Sequence, residues 1–447
     1  MSRLARWSFN TAYLLAIALA SPLIAWSAWR KGKYREGYDA KLLGRVPKRD
    51  GDRRCVWLHA VSVGEVNLLG VLIAELRHRH PDWDLCVSTT TKTGYDLAQK
   101  KYGPDHTVFY CPLDFSWAVA EAVRRVRPDL LLLAELELWP NLIDAAKRHG
   151  ARVGIVNGRL SENSFRGYSR IRSLVHRTLR QIDLVAVQDI ATRERFVALG
   201  ASRRSTDVPG SLKYDGAETR RGNPRTTELR ELAGFDAADT VWLAGSTQAP
   251  EEAICLRVFK EVAETNPHLR LVLVPRHPER FAEVSRLLDQ SGLDWQRRTQ
   301  LTPTPPVTSS PGPSPSVLLV DSVGELGAWW GTAQIGFVGG SFGDRGGQNM
   351  IEPAAYGVAT CFGPNTRNFR DIVTALLRAD GARVVADEAA LEAFVSACLA
   401  MPVEAQTLGD RARRFVATQL GATRRTADAI DKLMGVPASI ERQRRAA

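Results

Sequence analysis

From residue 53 onward the chain alternates between short, continuously apolar runs and longer stretches with helical spacing, and this alternation narrows the fold more than any other feature. Residues 55–61 read as a buried strand, and residues 63–79 as the apolar-periodic helix that follows it. The runs 85–90, 129–133, 151–156 and 183–187 continue the series. Strands that are apolar on both faces must be covered on both faces, which predicts an α/β fold with a parallel sheet between helical layers. A polar stretch at 215–224 interrupts the pattern and reads as a linker. The alternation then restarts with runs at 241–245, 269–274, 317–321, 335–339 and 358–361. A chain of 447 residues is too long for one ordinary core. The expected organisation is a Rossmann-like domain over 50–214 and a second over 225–435. The two would face a cleft, with ligands outside the carboxyl ends of the strands. Residues 302–316, with six prolines among Ser and Thr, read as a mobile loop of the second half. The Arg/Ala-rich tail at 441–447 reads as frayed.

Residues 7–29 carry no charged side chain, and about 20 helical residues cross a bilayer core. Residues 1–34 are therefore expected to form a membrane-anchor helix with its basic flank. Pro22 would kink that helix, and Trp7, Tyr13, Trp26 and Trp29 lie toward its ends as interfacial aromatics do. A cleaved signal peptide would have a shorter apolar region and a clearer small-residue cleavage site. Arg3 and Arg6 precede the segment, and Arg30, Lys31, Lys33, Arg35, Lys41 and Arg45 follow it. This basic excess places the large carboxyl-terminal part on the cytoplasmic side. The net charge of +11 suits an anionic partner without choosing among nucleic acid, a membrane surface and a phosphorylated substrate. The six cysteines lack C-x-x-C spacing and read as reduced, mostly buried thiols.

The candidate chemistry gathers just after the strands. His59-Ala60-Val61-Ser62-Val63-Gly64-Glu65 turns from a strand into a helix, leaving free amides that can hold an anion. Glu65 falls in the first helical turn, where it can accept a proton from a substrate hydroxyl or simply stabilise the helix start. Glu135 and Glu137 in Ala134-Glu135-Leu136-Glu137-Leu138-Trp139-Pro140-Asn141 either meet substrate or bind neighbouring amides. Arg159, in Asn157-Gly158-Arg159, suits an acidic sugar, a phosphate or a structural ion pair. In the second half Gly245-Ser246-Thr247 reads as a small-residue turn fit for close approach to phosphate. Pro275-Arg276, Val323-Gly324-Glu325, Gly339-Gly340-Ser341 and Asn349 with Glu352 follow later strands. Together these Gly-rich, polar strand ends point to a nucleotide pocket. Asp50-Gly51-Asp52 and Asp82-Trp83-Asp84 lie away from the carboxyl ends and read as solvated turns. The patterns of a P-loop, an H-E-x-x-H zinc site and a G-x-G-x-x-G redox site are not found.

Taken in order, these stretches resemble the Kdo (3-deoxy-D-manno-octulosonic acid) transferase family over nearly the whole chain. Gly324-Glu325-Leu326, Pro275 through Phe281, and Gly363-Pro364 with Asn368-Phe369 add to the match. The resemblance implies a GT-B glycosyltransferase fold, with acceptor on the first half and CMP-Kdo on the second. It implies that Glu65 is the catalytic base and that Pro275, Arg276, Val323, Gly324, Glu325, Asn349, Met350, Ile351 and Glu352 bind CMP. Ser62, Gly64, Glu137, Arg159, Ser246, Thr247, Gly340 and Ser341 are further substrate-binding candidates. The chain departs from the family pattern at Gln348, where the family has His, and at Gln248-Ala249-Pro250, where it has His-Glu-Gly.

The implied reaction is inverting transfer of Kdo from CMP-Kdo to a lipid A precursor at the bacterial inner membrane. No metal, cofactor or nucleic acid is expected. Two rivals stand beside it: another GT-B enzyme that transfers or epimerises a UDP-sugar, and a membrane-tethered nucleotide-binding protein that has lost catalysis.

Overall fold

The computed structural model describes residues 36–301 and 315–436, together with helical fragments between Trp7 and Arg30. The loop expected at 302–316 lies almost wholly outside the described residues, as does the tail at 441–447. Much of the expected anchor lies outside them too. No helix among the described residues is long and apolar enough to cross a membrane.

The chain forms two compact units. The first holds seven strands: β1 (Cys55–His59), β2 (Asp84–Thr89), β3 (Thr107–Tyr110), β4 (Leu130–Ala134), β5 (Arg152–Gly158), β6 (Leu184–Val187) and β7 (Thr206–Asp207). They lie in the order β3-β2-β1-β4-β5-β6-β7, all parallel. The strand order reverses between β1 and β4, the point at which open α/β sheets bind ligands. The second unit, residues 217–419, holds β8 (Thr240–Thr247), β9 (Leu269–Pro275), β10 (Trp295–Arg297), β11 (Val317–Leu319), β12 (Ile335–Val338), β13 (Ala359–Phe362) and β14 (Ala382–Val384). Their order is β10-β11-β9-β8-β12-β13-β14, again parallel, with the reversal between β8 and β12.

Both faces of the first sheet are packed, as the apolar runs require. Trp57, Leu131, Leu133 and Ile155 point into one core, and Val56, Leu58, Leu130, Leu132 and Val156 into the other. The second core also takes Ala422, Ala427 and Ile430 from the final helix, Ala422–Leu433. That helix therefore belongs to the first unit, and a boundary drawn at 435 along the chain misses its return. It is tied down by Arg79, which donates to Asp428 and Asp431 at 2.7 and 2.9 Å. His80 Nε2 lies 2.6 Å from Asp431 Oδ1 and the His80 ring stacks on Trp83. All six cysteines are free and buried.

Candidate functional site

Helix Val63–Arg79 begins directly after β1, at the switch point of the first sheet. Ser62 caps it, its hydroxyl accepting from the Glu65 amide at 3.3 Å. Glu65 reaches back over the helix start: Oε2 accepts from the Val61 amide at 2.8 Å and Oε1 from the Ser62 hydroxyl at 2.7 Å. The carboxyl is half-buried. Burial raises its pKa, and the charge of Glu135 adds to the rise against the pull of the Val61 and Ser62 hydrogen bonds. A side chain at Gly64 would meet only Ser62 Oγ, at 3.8 Å, so the surface there is open.

The next strand in the sheet, β4, delivers two more acids to the same point. Glu135 sits in the left-handed region at φ 54°, a costly conformation for a side-chain-bearing residue. Glu137 accepts from Trp139 Nε1 at 2.8 Å, and Trp139 meets His59 edge-on at 5.3 Å. Burial raises the pKa of Glu137, with the charges of Glu65 and Glu135 raising it further. His59 is fully buried and neutral, its pKa pushed down to about 4 by desolvation. Three carboxylates thus share one sheet edge, and Lys213 Nζ stands 3.5 Å from Glu135 Oε1.

Lys213 was not singled out from the sequence. It lies just before the linker, and only Asn157 shows why it belongs here. Asn157, also left-handed at φ 53°, is buried at the end of β5 and accepts from the Leu212 amide at 2.9 Å and the Ser211 hydroxyl at 3.3 Å. It pins the loop that presents Lys213. Arg159 follows on the same carboxyl edge, half-buried.

In the second unit Arg276 is exposed just after β9, its amide bonded to the Thr247 carbonyl at 3.0 Å. The Arg276 charge also reaches Glu352, whose pKa burial raises while Asn349 and Arg276 hold it back. Asn349 donates to Glu352 Oε1 at 2.9 Å and accepts from the Ile351 amide at 3.1 Å. Met350 and Ile351 are core residues, so only their backbone is available. The 323–327 segment approaches from β11: a Cβ on Gly327 would lie 4.0 Å from Glu352 Oε2. Val323 is 78% exposed and Gly324 has φ 93°. Burial would raise the pKa of Glu325, but Ser322, Arg298 and Arg225 more than offset it and hold it down. That carboxylate is consumed by its partners, and the segment presents its backbone and the Val323 side chain. Arg276 and the Gly327 backbone thus both approach Glu352, which Asn349 holds.

The switch point of the second sheet is organised differently from the expectation. Glu251, buried at the start of helix Glu251–Ala263, accepts from the amides of Gln248 (2.9 Å), Gly340 (2.7 Å), Ser341 (2.9 Å) and Phe342 (3.0 Å). The amides of Gly340 and Ser341, both substrate-binding candidates, are already donated to this carboxylate. The Ser341 hydroxyl is also committed, donating to the Val338 carbonyl at 2.6 Å and accepting from the Gly363 amide at 2.8 Å. Nor is Gly245-Ser246-Thr247 a turn: β8 runs through it with a register shift, Ser246 is left-handed at φ 57° and Thr247 is buried. Gly245 makes room for the Trp330 ring, which a Cβ would meet at 2.4 Å. Gly339 is needed because a Cβ would lie 2.6 Å from Thr247 Cα. Gln248 and Gln348, the two departures from the family pattern, converge on Gly340: their amide nitrogens lie 3.4 and 3.2 Å from where its Cβ would stand.

A family model for 3-deoxy-D-manno-octulosonic-acid transferases matches residues 37–216. The 3-deoxy-D-manno-octulosonic acid transferase of Bordetella pertussis is 31% identical over 447 residues, covering 95% of this chain and 99% of that protein. The chain belongs to the Kdo transferase family. The Kdo transferase of Haemophilus influenzae is 32% identical over 374 residues, covering 83% of this chain and 86% of that one. Among solved structures, the C-terminal CMP-Kdo binding domain of WaaA from Acinetobacter baumannii is 31% identical, covering 43% of this chain and 96% of that one, with a TM-score of 0.39. A UDP-N-acetylglucosamine 2-epimerase-like protein from Listeria monocytogenes covers 86% of this chain and 98% of its own at 12% identity and a TM-score of 0.55, a likeness of fold alone. Two parallel seven-stranded units agree with the GT-B expectation.

Proposed function

We propose that this Kdo transferase moves Kdo from CMP-Kdo to a lipid A precursor with inversion, in lipopolysaccharide core synthesis, and that Glu65 is the base. The observation that carries this reading is the half-buried Glu65 carboxyl, made more basic by its surroundings and placed at the switch point of the first sheet. In the step, Glu65 takes the proton of a lipid hydroxyl as the hydroxyl oxygen bonds to the anomeric carbon. The bond from that carbon to the CMP phosphate oxygen breaks, and its electron pair leaves with the phosphate. Lys213 balances Glu135 and so limits how far the neighbouring negative charge raises Glu65.

Donor binding falls to the second unit. The Arg276 fork suits the CMP phosphate, and Glu352, held by Asn349, can accept from ribose hydroxyls. The amides of Gly340 and Ser341 take no part, because Glu251 holds them. The amino-terminal apolar segment and its basic flanks keep the enzyme at the inner membrane, with both units on the cytoplasmic side. The test is to incubate purified protein with CMP-Kdo and a tetra-acylated lipid A precursor and weigh the lipid by mass spectrometry. A mass gain of one or more Kdo units is expected. A lipid modified only when a UDP-sugar replaces CMP-Kdo would overturn the reading.

A further inference from the structure

We infer that the amino-terminal segment is built into the first unit through Asn10 and lies along the bilayer surface instead of crossing it. The described residues between Trp7 and Pro22 are helical. Asn10, the amide within this apolar stretch, is buried against the folded unit. Its Oδ1 accepts from the Ser116 amide at 3.1 Å and from Asn141 Nδ2 at 3.2 Å, and its Nδ2 donates to Ser116 Oγ at 2.8 Å. Helix Ser116–Val126 has no side-chain cap of its own at Phe115, so Asn10 supplies the missing acceptor from more than a hundred residues away. Tyr13, one turn on, packs its ring 5.0 Å from Phe115, and Ile17 continues the same half-buried face.

The opposite face is apolar and uncovered: Leu15 is 60% and Leu19 82% exposed. Asn10, Tyr13 and Ile17 thus lie toward the protein on one side. Only residues 18–29 remain beyond Ile17 before the basic flank, and twelve residues in a helix would span only about 18 Å against the roughly 30 Å of a hydrocarbon core. A helix with one face on protein and an apolar face outward, flanked by Arg3, Arg6, Arg30, Lys31 and Lys33, fits the interface of a bilayer with anionic headgroups.

The same contact makes Asn10 a positioning residue. Asn141 lies in the first turn of helix Pro140–His149, which begins directly after Trp139 and the Glu135–Glu137 loop. Asp114 caps that helix, accepting from the Asn141 and Leu142 amides at 3.0 and 2.8 Å, while its carbonyl accepts from Asn141 Nδ2 at 2.6 Å. Seating the membrane segment therefore braces the loop that carries two of the three carboxylates.

Three measurements on the full-length enzyme in native-composition vesicles test this. The Asn10→Cys, Ser116→Cys pair should oxidise to a cross-link, the native thiols being buried. An absent cross-link overturns the docking. A fluorophore on Leu19→Cys should be quenched best by lipids brominated near the headgroup, and strongest quenching from mid-chain bromines means a spanning segment and overturns the in-plane placement. Asn10→Leu should stay membrane-bound while KM for the lipid acceptor rises roughly tenfold with kcat changed less. An unchanged KM removes the positioning role. This last arm rests on the proposed acceptor, and the first two do not depend on it.

Discussion

The two sheets reverse their strand order at comparable places, β1 beside β4 in the first unit and β8 beside β12 in the second. At the first, Glu65, Glu135 and Glu137 crowd together, and Glu135 sits in a strained backbone conformation with Lys213 as counter-charge. At the second, a single carboxylate, Glu251, is saturated by four backbone amides that stitch the Gly339–Phe342 loop to the next helix. One edge leaves carboxyl groups able to change their protonation, and the other uses its carboxylate to hold a loop still. On the proposed roles the difference separates chemistry from binding: a base must retain a free lone pair, whereas a rigid donor platform is best built from groups that are already paired.

Breaking the second edge should have the largest effect. Glu251→Ala would leave four backbone amides, three of them buried, without an acceptor, at a cost of roughly 3 kcal/mol or more. Thermal unfolding should then show the second unit melting early, and an unchanged transition would mean that water replaces the carboxylate. Breaking the first edge should leave the fold alone. Lys213→Met is expected to lower kcat on the order of a hundredfold at neutral pH. Because Glu65 would lose the cation that offsets Glu135, the acid limb of its pH–rate profile should also move to higher pH. A fall in kcat with an unmoved limb would point to a direct contact between Lys213 and substrate.

Asp114 lies between these extremes, buried like Glu251 but with only two amide donors to its carboxylate. Burial pushes its pKa up to about 7. A carboxyl raised on folding contributes most below the ordinary carboxylate range, and that contribution is lost as pH rises through about 7. Asp114→Asn should flatten this part of the stability profile, changing the pH-dependence of Tm between pH 4 and 8 by roughly 2–4 °C. An unaltered profile would place the titration elsewhere.

The parts legible in the sequence are those encoded locally. Long apolar runs mark the central strands, and Glu65 reads as an acid in the first turn of the helix after β1. The edge strands Thr206–Asp207, Trp295–Arg297 and Ala382–Val384 carry Asp207, Gln296 and Arg383 and so form no apolar run, and Thr107–Tyr110 is missed as well. Glu251 meets its loop across about ninety residues of chain, and Asn10 meets Asn141 across 131. Such pairings have no periodicity to read. For the same reason Gly339-Gly340-Ser341 reads as part of a nucleotide pocket, because the sequence does not reveal that a distant carboxylate already takes the amides of Gly340 and Ser341.

Glu65→Gln tests the central claim most directly, because the glutamine oxygen can still accept from the Val61 amide and so keeps the helix start. Single-turnover transfer should fall by at least a hundredfold, with CMP-Kdo binding and Tm unchanged. Transfer at near wild-type rate by a folded Glu65→Gln enzyme would contradict the account.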